Sequence, residues 1–284
     1  EFWDDARFHF VECDIDREEN LREALRDFSQ IDYIFHAASN THPVAYASDP
    51  IGTVVTNIIG LNNLLSLATE KGTRRFLFAS SNEIYGENRG DVELFDESYC
   101  GYIDCNTMRA GYPESKRCGE ALCQAYIKQK EMDIVIPRLT RSYGPTMLAS
   151  DTKAISQFIR KAINGENIVL KSEGTQYYSY TYVADAVSGL LYVLLKGKKG
   201  EAYNIADDAS DIMLKDLAHI IATSVGKKVV FEIPDSVESA GYSKATKARL
   251  ESEKLQSLGW EAVYNIEEGI KRTISILQKD GEQI

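Results

Sequence analysis

The residues best suited to chemistry are Tyr112 and Lys116, in the stretch Tyr112-Pro113-Glu114-Ser115-Lys116. A helix there puts the phenol and the ammonium on one face, one turn apart. A cation so placed lowers the phenol's pKa towards a value useful for proton transfer at neutral pH. An exposed helical pair has the same spacing, so the surrounding sequence decides between the two. Upstream, the apolar run Phe76-Leu77-Phe78-Ala79 ends in Ser80-Ser81-Asn82-Glu83-Ile84-Tyr85-Gly86. A hydroxyl at the C-terminal end of a parallel strand lies where open α/β sheets bind ligands. Ser81 can then hydrogen-bond the same substrate hydroxyl that Tyr112 would deprotonate.

Such a pairing needs strands and helices in alternation, and the chain supplies them. Apolar and β-branched runs predict strands at Phe8–Val11, Tyr33–Phe35, Arg75–Ala79, Ile134–Leu139, Ile168–Leu170 and Ala202–Ile205. Helical periodicity predicts helices at Arg17–Phe28, Pro50–Lys71, Tyr112–Gln129, Ser156–Ala162, Val183–Leu195, Leu214–Val225 and Ile266–Leu277. The first half reads as parallel βαβ units in a doubly wound sheet. Beyond Tyr143 the pattern is mixed, as in a smaller cap interleaved with the end of the sheet. Tyr177, Tyr178, Tyr180 and Tyr182 alternate like a strand with one face to a core or cleft and the other to solvent.

The 284 residues carry 32 Lys+Arg against 43 Asp+Glu, a net charge of −11. So acidic a surface repels phosphate backbones and argues against nucleic-acid or anionic-membrane binding. No apolar run approaches the roughly 20 residues of a membrane helix, which reads as a soluble chain. The five cysteines (Cys13, Cys100, Cys105, Cys118, Cys123) form no CxxC pair. That argues against a disulfide framework or structural zinc and for reduced thiols in a cytoplasmic setting. His36 and His42 have no ligand-spaced partners, so His36 is read as a strand-end residue and no metal is assigned.

In these motifs the chain resembles the extended short-chain dehydrogenase/reductases, specifically their NAD-dependent nucleotide-sugar epimerases, dehydratases and decarboxylases. The resemblance spans nearly the whole chain. It comprises Cys13-Asp14-Ile15-Asp16, His36-Ala37-Ala38, Asn57 and Gly60, the Ser80–Gly86 block and Tyr112 with Lys116. It continues through Arg138, Tyr143-Gly144-Pro145, Tyr182-Val183-Ala184-Asp185, Tyr203-Asn204-Ile205 and Leu258-Gly259-Trp260. The resemblance implies an α/β fold, a Rossmann-type doubly wound parallel sheet with a smaller mixed α/β substrate-binding cap. Residues 1–145 and about 176–206 would form the NAD-binding part, and about 146–175 and 207–284 the cap. It also implies an enzyme, a lyase or isomerase, that modifies a nucleotide sugar through a transient 4-keto intermediate. Ser81, Glu83, Tyr112 and Lys116 would be catalytic. Asp14, Ile15, Ala37, Ala38, Asn57, Tyr112 and Lys116 would hold NAD, in preference to NADP, with Lys116 on the nicotinamide ribose. Ser81, Asn82, Arg141 and Tyr178 would line the substrate, and a homodimer is implied through the Tyr112 helix.

Glu83 bears on the reaction. A 4-keto sugar acidifies its neighbouring C–H bond, and a carboxylate above the ring can move that proton. Dehydratases and decarboxylases of the family resemble this chain in having Glu there, while the dehydratase acid that precedes it is here Asn82. The stretch Arg109–Arg117 is most similar to UDP-glucuronate decarboxylases. Two positions depart from the family. Arg141 stands where Asn usually helps bind the diphosphate, and Tyr178 aligns with its usual Arg. Arg141 is therefore expected either to replace the missing guanidinium from the other side of the cleft, an arginine being suited to phosphate or carboxylate, or to pair with a nearby Asp. The family's G-x-x-G-x-x-G turn, which seats the pyrophosphate on backbone N–H groups, appears nowhere in this sequence. The expectation is a chain without its natural beginning. The alternative is a catalytically silent binding protein or a truncated remnant.

Overall fold

The computed structural model describes residues 2–41, 48–232 and 247–281. Position 42 lies outside them, so the reading of His42 is left there. The main sheet sets β1 (Tyr33–His36), β2 (Arg75–Phe78), β4 (Ile134–Leu139) and β8 (Ala202–Ile205) side by side, all parallel. The two-residue β3 (Ser80–Ser81) runs along β4 in the same register as β2, so it is the C-terminal extension of that strand.

Alternation along the strands sorts the core onto two faces. Phe76, Phe78, Ile134 and Ile136 pack with Leu61, Leu65 and Cys123 on one side. Leu77, Ala79 and Val135 pack with Leu190, Val193 and Trp260 on the other. The helices follow from this. After α1 (Glu18–Ala24), a long helix crosses the first face as α2 (Pro50–Val55) and α3 (Leu61–Glu70), joined by a π turn at Thr56–Gly60. Asp49 caps its start by accepting from the Gly52 N–H at 2.9 Å, and Pro50 suits the first turn. Helix α4 (Gly111–Lys130) lies on the same face, and α6 (Val183–Lys196) covers the other.

Two expectations change here. Residues 8–11 are irregular, with Phe10 and Val11 exposed, because no described strand lies alongside to take their backbone hydrogen bonds. The helix across Pro50–Glu70 is, among the described residues, long and apolar enough to cross a membrane, with 21 residues and a mean hydropathy of 1.4 over its most apolar 18. Yet Leu61, Leu65 and Ala68 are core residues packed on the sheet, and Asn57 and Asn63 are held in polar contacts.

The second layer is built on β7 (Tyr177–Tyr182), which pairs with β5 (Arg141–Tyr143), β9 (Asp211–Met213) and β11 (Lys247–Ala248). Ser179 and Thr181 are as buried as Tyr178, Tyr180 and Tyr182, so both faces of β7 are covered and its polar side does not meet solvent. β6 (Ile168–Leu170) and β10 (Val229–Phe231) form a parallel pair. Helices α5 (Ala154–Ile163), α7 (Leu214–Ser224) and α8 (Ile266–Gly281) contribute Phe158, Ile159, Leu217, Ile221 and Ile270 to this layer's core. The chain returns from this layer to the main sheet at Tyr182-Val183, where β7 runs directly into α6.

Among the described residues β1 pairs on one edge only, with β2. Its Tyr33 and Phe35 stand opposite Arg75 and Leu77 and so face the α6 side, half exposed. On α6, Val187, Leu191 and Leu195 continue the same bare apolar surface.

Candidate active site

Ser81, Tyr112 and Lys116 meet at the C-terminal end of the main sheet, as their spacing predicts. β3 delivers Ser81, whose hydroxyl hydrogen-bonds Tyr112 and also accepts from the Glu83 N–H at 3.2 Å, capping a short 3-10 turn over Asn82–Tyr85. Gly86 ends that turn at φ 70°, and a Cβ there would lie 2.4 Å from the Tyr102 carbonyl oxygen. Only glycine combines that backbone with that approach. Arg117 ties the helix to the same turn, donating to the Ile84 carbonyl at 2.6 Å and the Gly101 carbonyl at 2.7 Å.

The electrostatics differ from the sequence expectation. The phenol is raised overall rather than lowered. Burial pushes Tyr112 up to about 12, against a lowering hydrogen bond from Ser81, and the Glu83 carboxylate raises it further. The Lys116 ammonium donates to the Ala79 carbonyl at 2.9 Å and lies 4.9 Å from the Phe78 ring but 5.9 Å from the Tyr112 ring. Burial lowers Lys116 to about 8. Both groups are therefore poised away from their solvent values by desolvation, which disfavours whichever form is charged.

Glu83 and Asn82 face the cleft from the 3-10 turn. The Glu83 carboxylate is close enough to act on both Tyr112 and Tyr178. With the Asn82 amide oriented by its neighbours, its nitrogen donates to the Leu139 carbonyl at 3.3 Å and its oxygen accepts from Arg141 at 3.2 Å. The Arg141 guanidinium lies 3.7 Å from the centre of the Tyr178 ring. These two residues come from adjacent strands, in which Arg141 is level with Tyr180. Burial raises Tyr178, while Arg141 and Arg109 both act to lower it. Sequence reasoning missed Arg109 as a neighbour of Tyr178; a position just ahead of α4 was its only signal.

On the other side, Ala37 and Ala38 leave the end of β1 exposed, with no bulk beyond a methyl group. Asp14 and Ile15 sit on a loop pinned to the π turn, where Thr56 donates to Asp16 at 2.8 Å and Asn63 to the Ile15 carbonyl at 3.0 Å. Gly60 admits this loop, since a Cβ there would lie 2.7 Å from Ile15. Asn57 is committed to the protein itself. It accepts from Ser39 at 2.7 Å and donates to Ser115 at 2.9 Å, and Ser115 donates to the Tyr112 carbonyl at 2.8 Å. Asn57 thus positions the first turn of α4. His36 is buried beside Phe78 (5.8 Å between rings), and burial with Lys116 nearby lowers it to about 4.

Comparison with known proteins follows this geometry. A sequence model of the NAD dependent epimerase/dehydratase family matches residues 1–206. The chain belongs to that family. It is 33% identical over 255 residues to UDP-glucuronic acid decarboxylase 1 of Xenopus tropicalis, covering 90% of this chain and 59% of that protein. The chain therefore spans less than two thirds of the length of that relative. Two solved structures share the fold. One is UDP-glucose 4-epimerase of Thermotoga maritima (TM-score 0.84, 24% identity, 95% of this chain and 84% of that one). The other is the NAD complex of dTDP-glucose 4,6-dehydratase from Bacillus anthracis (TM-score 0.81, 22% identity, 99% of this chain and 83% of that one).

Several residues that carry the family resemblance lie behind the site rather than in it. The Glu120 carboxylate accepts from Ser80 at 2.6 Å and from Arg138 at 2.7 and 3.0 Å. Arg138 also donates to the Tyr85 hydroxyl at 3.0 Å and the Glu97 carbonyl at 2.7 Å. Tyr85 donates to Asn204 at 2.6 Å, and the Asn204 amide donates to the Phe95 and Glu251 carbonyls at 2.9 Å each. This network joins β3, α4, β4 and β8 beneath Ser81, Tyr112 and Lys116. A charged residue in an otherwise buried strand was the sequence signal for it, because a buried guanidinium needs an acid.

Proposed function

We propose that this chain carries out NAD-dependent modification of a nucleotide sugar through a transient 4-keto intermediate. The observation that carries the reading is the buried Tyr112–Ser81 hydrogen bond with Lys116 one turn away, at the ligand-binding end of a parallel sheet. Family membership and the NAD complex of a structural neighbour support it.

The residues present fit NAD in part. The bare strand end at Ala37-Ala38 leaves space beside Lys116, the pinned loop offers Asp14 and Ile15 for the adenosine, and Lys116 with Tyr112 suits the nicotinamide ribose. When bound, NAD would take up the hydride from the sugar's C4 and give it back. The protein's own part is proton management. Tyr112 accepts the proton of the C4 hydroxyl, held by the Ser81 hydroxyl, which bonds the same oxygen. The Lys116 ammonium favours the ionised phenol once it is turned from the Ala79 carbonyl. Glu83, on the cleft side of the turn, is placed to move the proton at C5, which the adjacent ketone acidifies. Decarboxylation, dehydration and epimerisation share the oxidation at C4 and differ in what happens next.

The reading includes a homodimer built on α4, which sedimentation velocity would test. For the activity, the full-length protein is incubated with NAD and a panel of UDP-, dTDP-, GDP- and CDP-sugars, and product masses are measured. Loss of CO2, loss of water and an isomer of unchanged mass identify the three reactions. Absence of both product and NAD binding would overturn the proposal.

A further inference from the structure

We infer that Glu120, one helical turn beyond Lys116, is a positioning residue for the chemistry: it secures the strand end on which the Lys116 ammonium is seated and keeps that ammonium a cation. This rests on the roles given to Lys116 and Tyr112 above and adds what sustains them.

Two consecutive turns of α4 hold two consecutive residues of the strand end. The Lys116 ammonium donates to the Ala79 carbonyl at 2.9 Å, and the Ser80 hydroxyl donates to the Glu120 carboxylate at 2.6 Å. Residues four apart on a helix share a face, so acid and ammonium are neighbours along α4. Ser81 follows Ser80 in β3, and its hydroxyl bonds Tyr112. The seat of Lys116 and the residue that holds the phenol therefore belong to one short piece of backbone, which Glu120 fastens to the helix. Arg138 fixes the acid in turn, donating to it at 2.7 and 3.0 Å.

Charge gives Glu120 its second part. Lys116 is 3% exposed, and an ammonium taken out of water gives up its proton more readily. Burial lowers it to about 8, with Cys123 and Glu120 acting the other way. Burial also drives the Cys123 thiol far up, so it is neutral at that pH and the carboxylate carries the effect. The other titratable neighbours bring no negative charge. Tyr112 is raised to about 12 and His36 on β1 is lowered to about 4, so both are neutral, while Arg138 on β4 is itself a cation. Among the described residues that bear on Lys116, Glu120 is thus the anion that offsets its burial.

The test is a titration of Lys116 in the full-length protein by NMR, followed through the labelled lysine ε-carbon resonance that disappears in Lys116→Arg. The wild type should titrate near pH 8. Glu120→Gln should move that midpoint about one pH unit towards acid, and Glu120→Asp, which keeps the charge one methylene short, should stay close to the wild type. The alkaline limb of kcat/KM should move with the midpoint, measured on the sugar that the mass panel shows to be turned over. Because Glu120→Gln leaves Arg138 buried without its acid, the pair is also removed together in Glu120→Gln/Arg138→Met, which should keep part of the displacement. A Glu120→Gln midpoint equal to the wild type overturns the inference. So does a double variant that titrates like the wild type, since the displacement then belongs to the abandoned arginine. Turnover whose alkaline limb stays in place overturns it as well. A displaced midpoint in a protein that turns over no sugar sinks the nucleotide-sugar reading alone and leaves the coupling of Glu120 to Lys116 standing.

Discussion

The cleft and the network beneath it are made of the same kinds of residue, yet they are built to opposite ends. Beneath the cleft, Glu120, Arg138, Tyr85 and Asn204 bond one another or backbone carbonyls at 2.6–3.0 Å. Above it, Lys116 and His36 are just as buried, but among the described residues the Lys116 ammonium donates to the Ala79 carbonyl and the His36 Nε2 meets no hydrogen-bond partner, and burial is the largest cause of the shift at each. Pairing therefore separates the two regions where residue type does not. A buried polar group with all its bonds made holds strands in place, and one left short of them remains available to a ligand or a proton.

Substitutions can break this contrast from either side. The largest effect is expected at Tyr112→Phe, which should lower turnover of the full-length protein by up to about 10⁴-fold while the urea midpoint barely moves. A large loss of stability instead would make Tyr112 a scaffold residue. Next comes Arg138→Met, which leaves Glu120 buried without its partner and should cost roughly 3–5 kcal/mol in urea unfolding. Replacing Glu120 as well should recover much of the loss, and a double variant as unstable as the single one would show that the pair is not the reason.

The third effect is read from pH. His36 is lowered from 6.5 to about 4 on folding, so the unfolded chain binds the extra proton first. Its contribution is present above pH 6.5 and is lost as pH falls from 6.5 to 4, roughly 3 kcal/mol in all. Unfolding free energies of His36→Phe should lack that acid limb, and an unchanged limb would exonerate the histidine. The smallest effect is at Asp185, whose carboxylate accepts from the Val263 and Tyr264 N–H groups at 2.9 and 3.0 Å. Asp185→Ala should cost about 1–3 kcal/mol by leaving those donors unmet, with activity kept in the molecules that remain folded.

The sequence revealed whatever local geometry determines. Tyr112 and Lys116 meet Ser81 because helix period and strand end are properties of a few neighbouring residues. The alternation of Phe76-Leu77-Phe78 and of Ile134-Val135-Ile136 likewise showed a sheet covered on both faces. Contacts between distant segments could not be read. Nothing near Asn57 announces that its amide would reach Ser115, 58 residues on. The inverted tuning of Tyr112 was hidden for the same reason, since spacing brings the cation close but only the packed structure shows the ammonium turned to Ala79 and the phenol desolvated. Residues 8–11 failed in the other direction. Their composition favours a strand, but a strand also requires a neighbour.

Among the described residues β1 pairs on one edge only, and this has a practical consequence for handling them. Its open row of N–H and C=O groups, flanked by half-exposed Tyr33 and Phe35 and by Val187, Leu191 and Leu195 of α6, is a template for pairing with another chain. Preparations that leave this flank uncovered should therefore self-associate with an order above one in concentration, and short peptides able to lie along β1 should slow that association without entering the cleft.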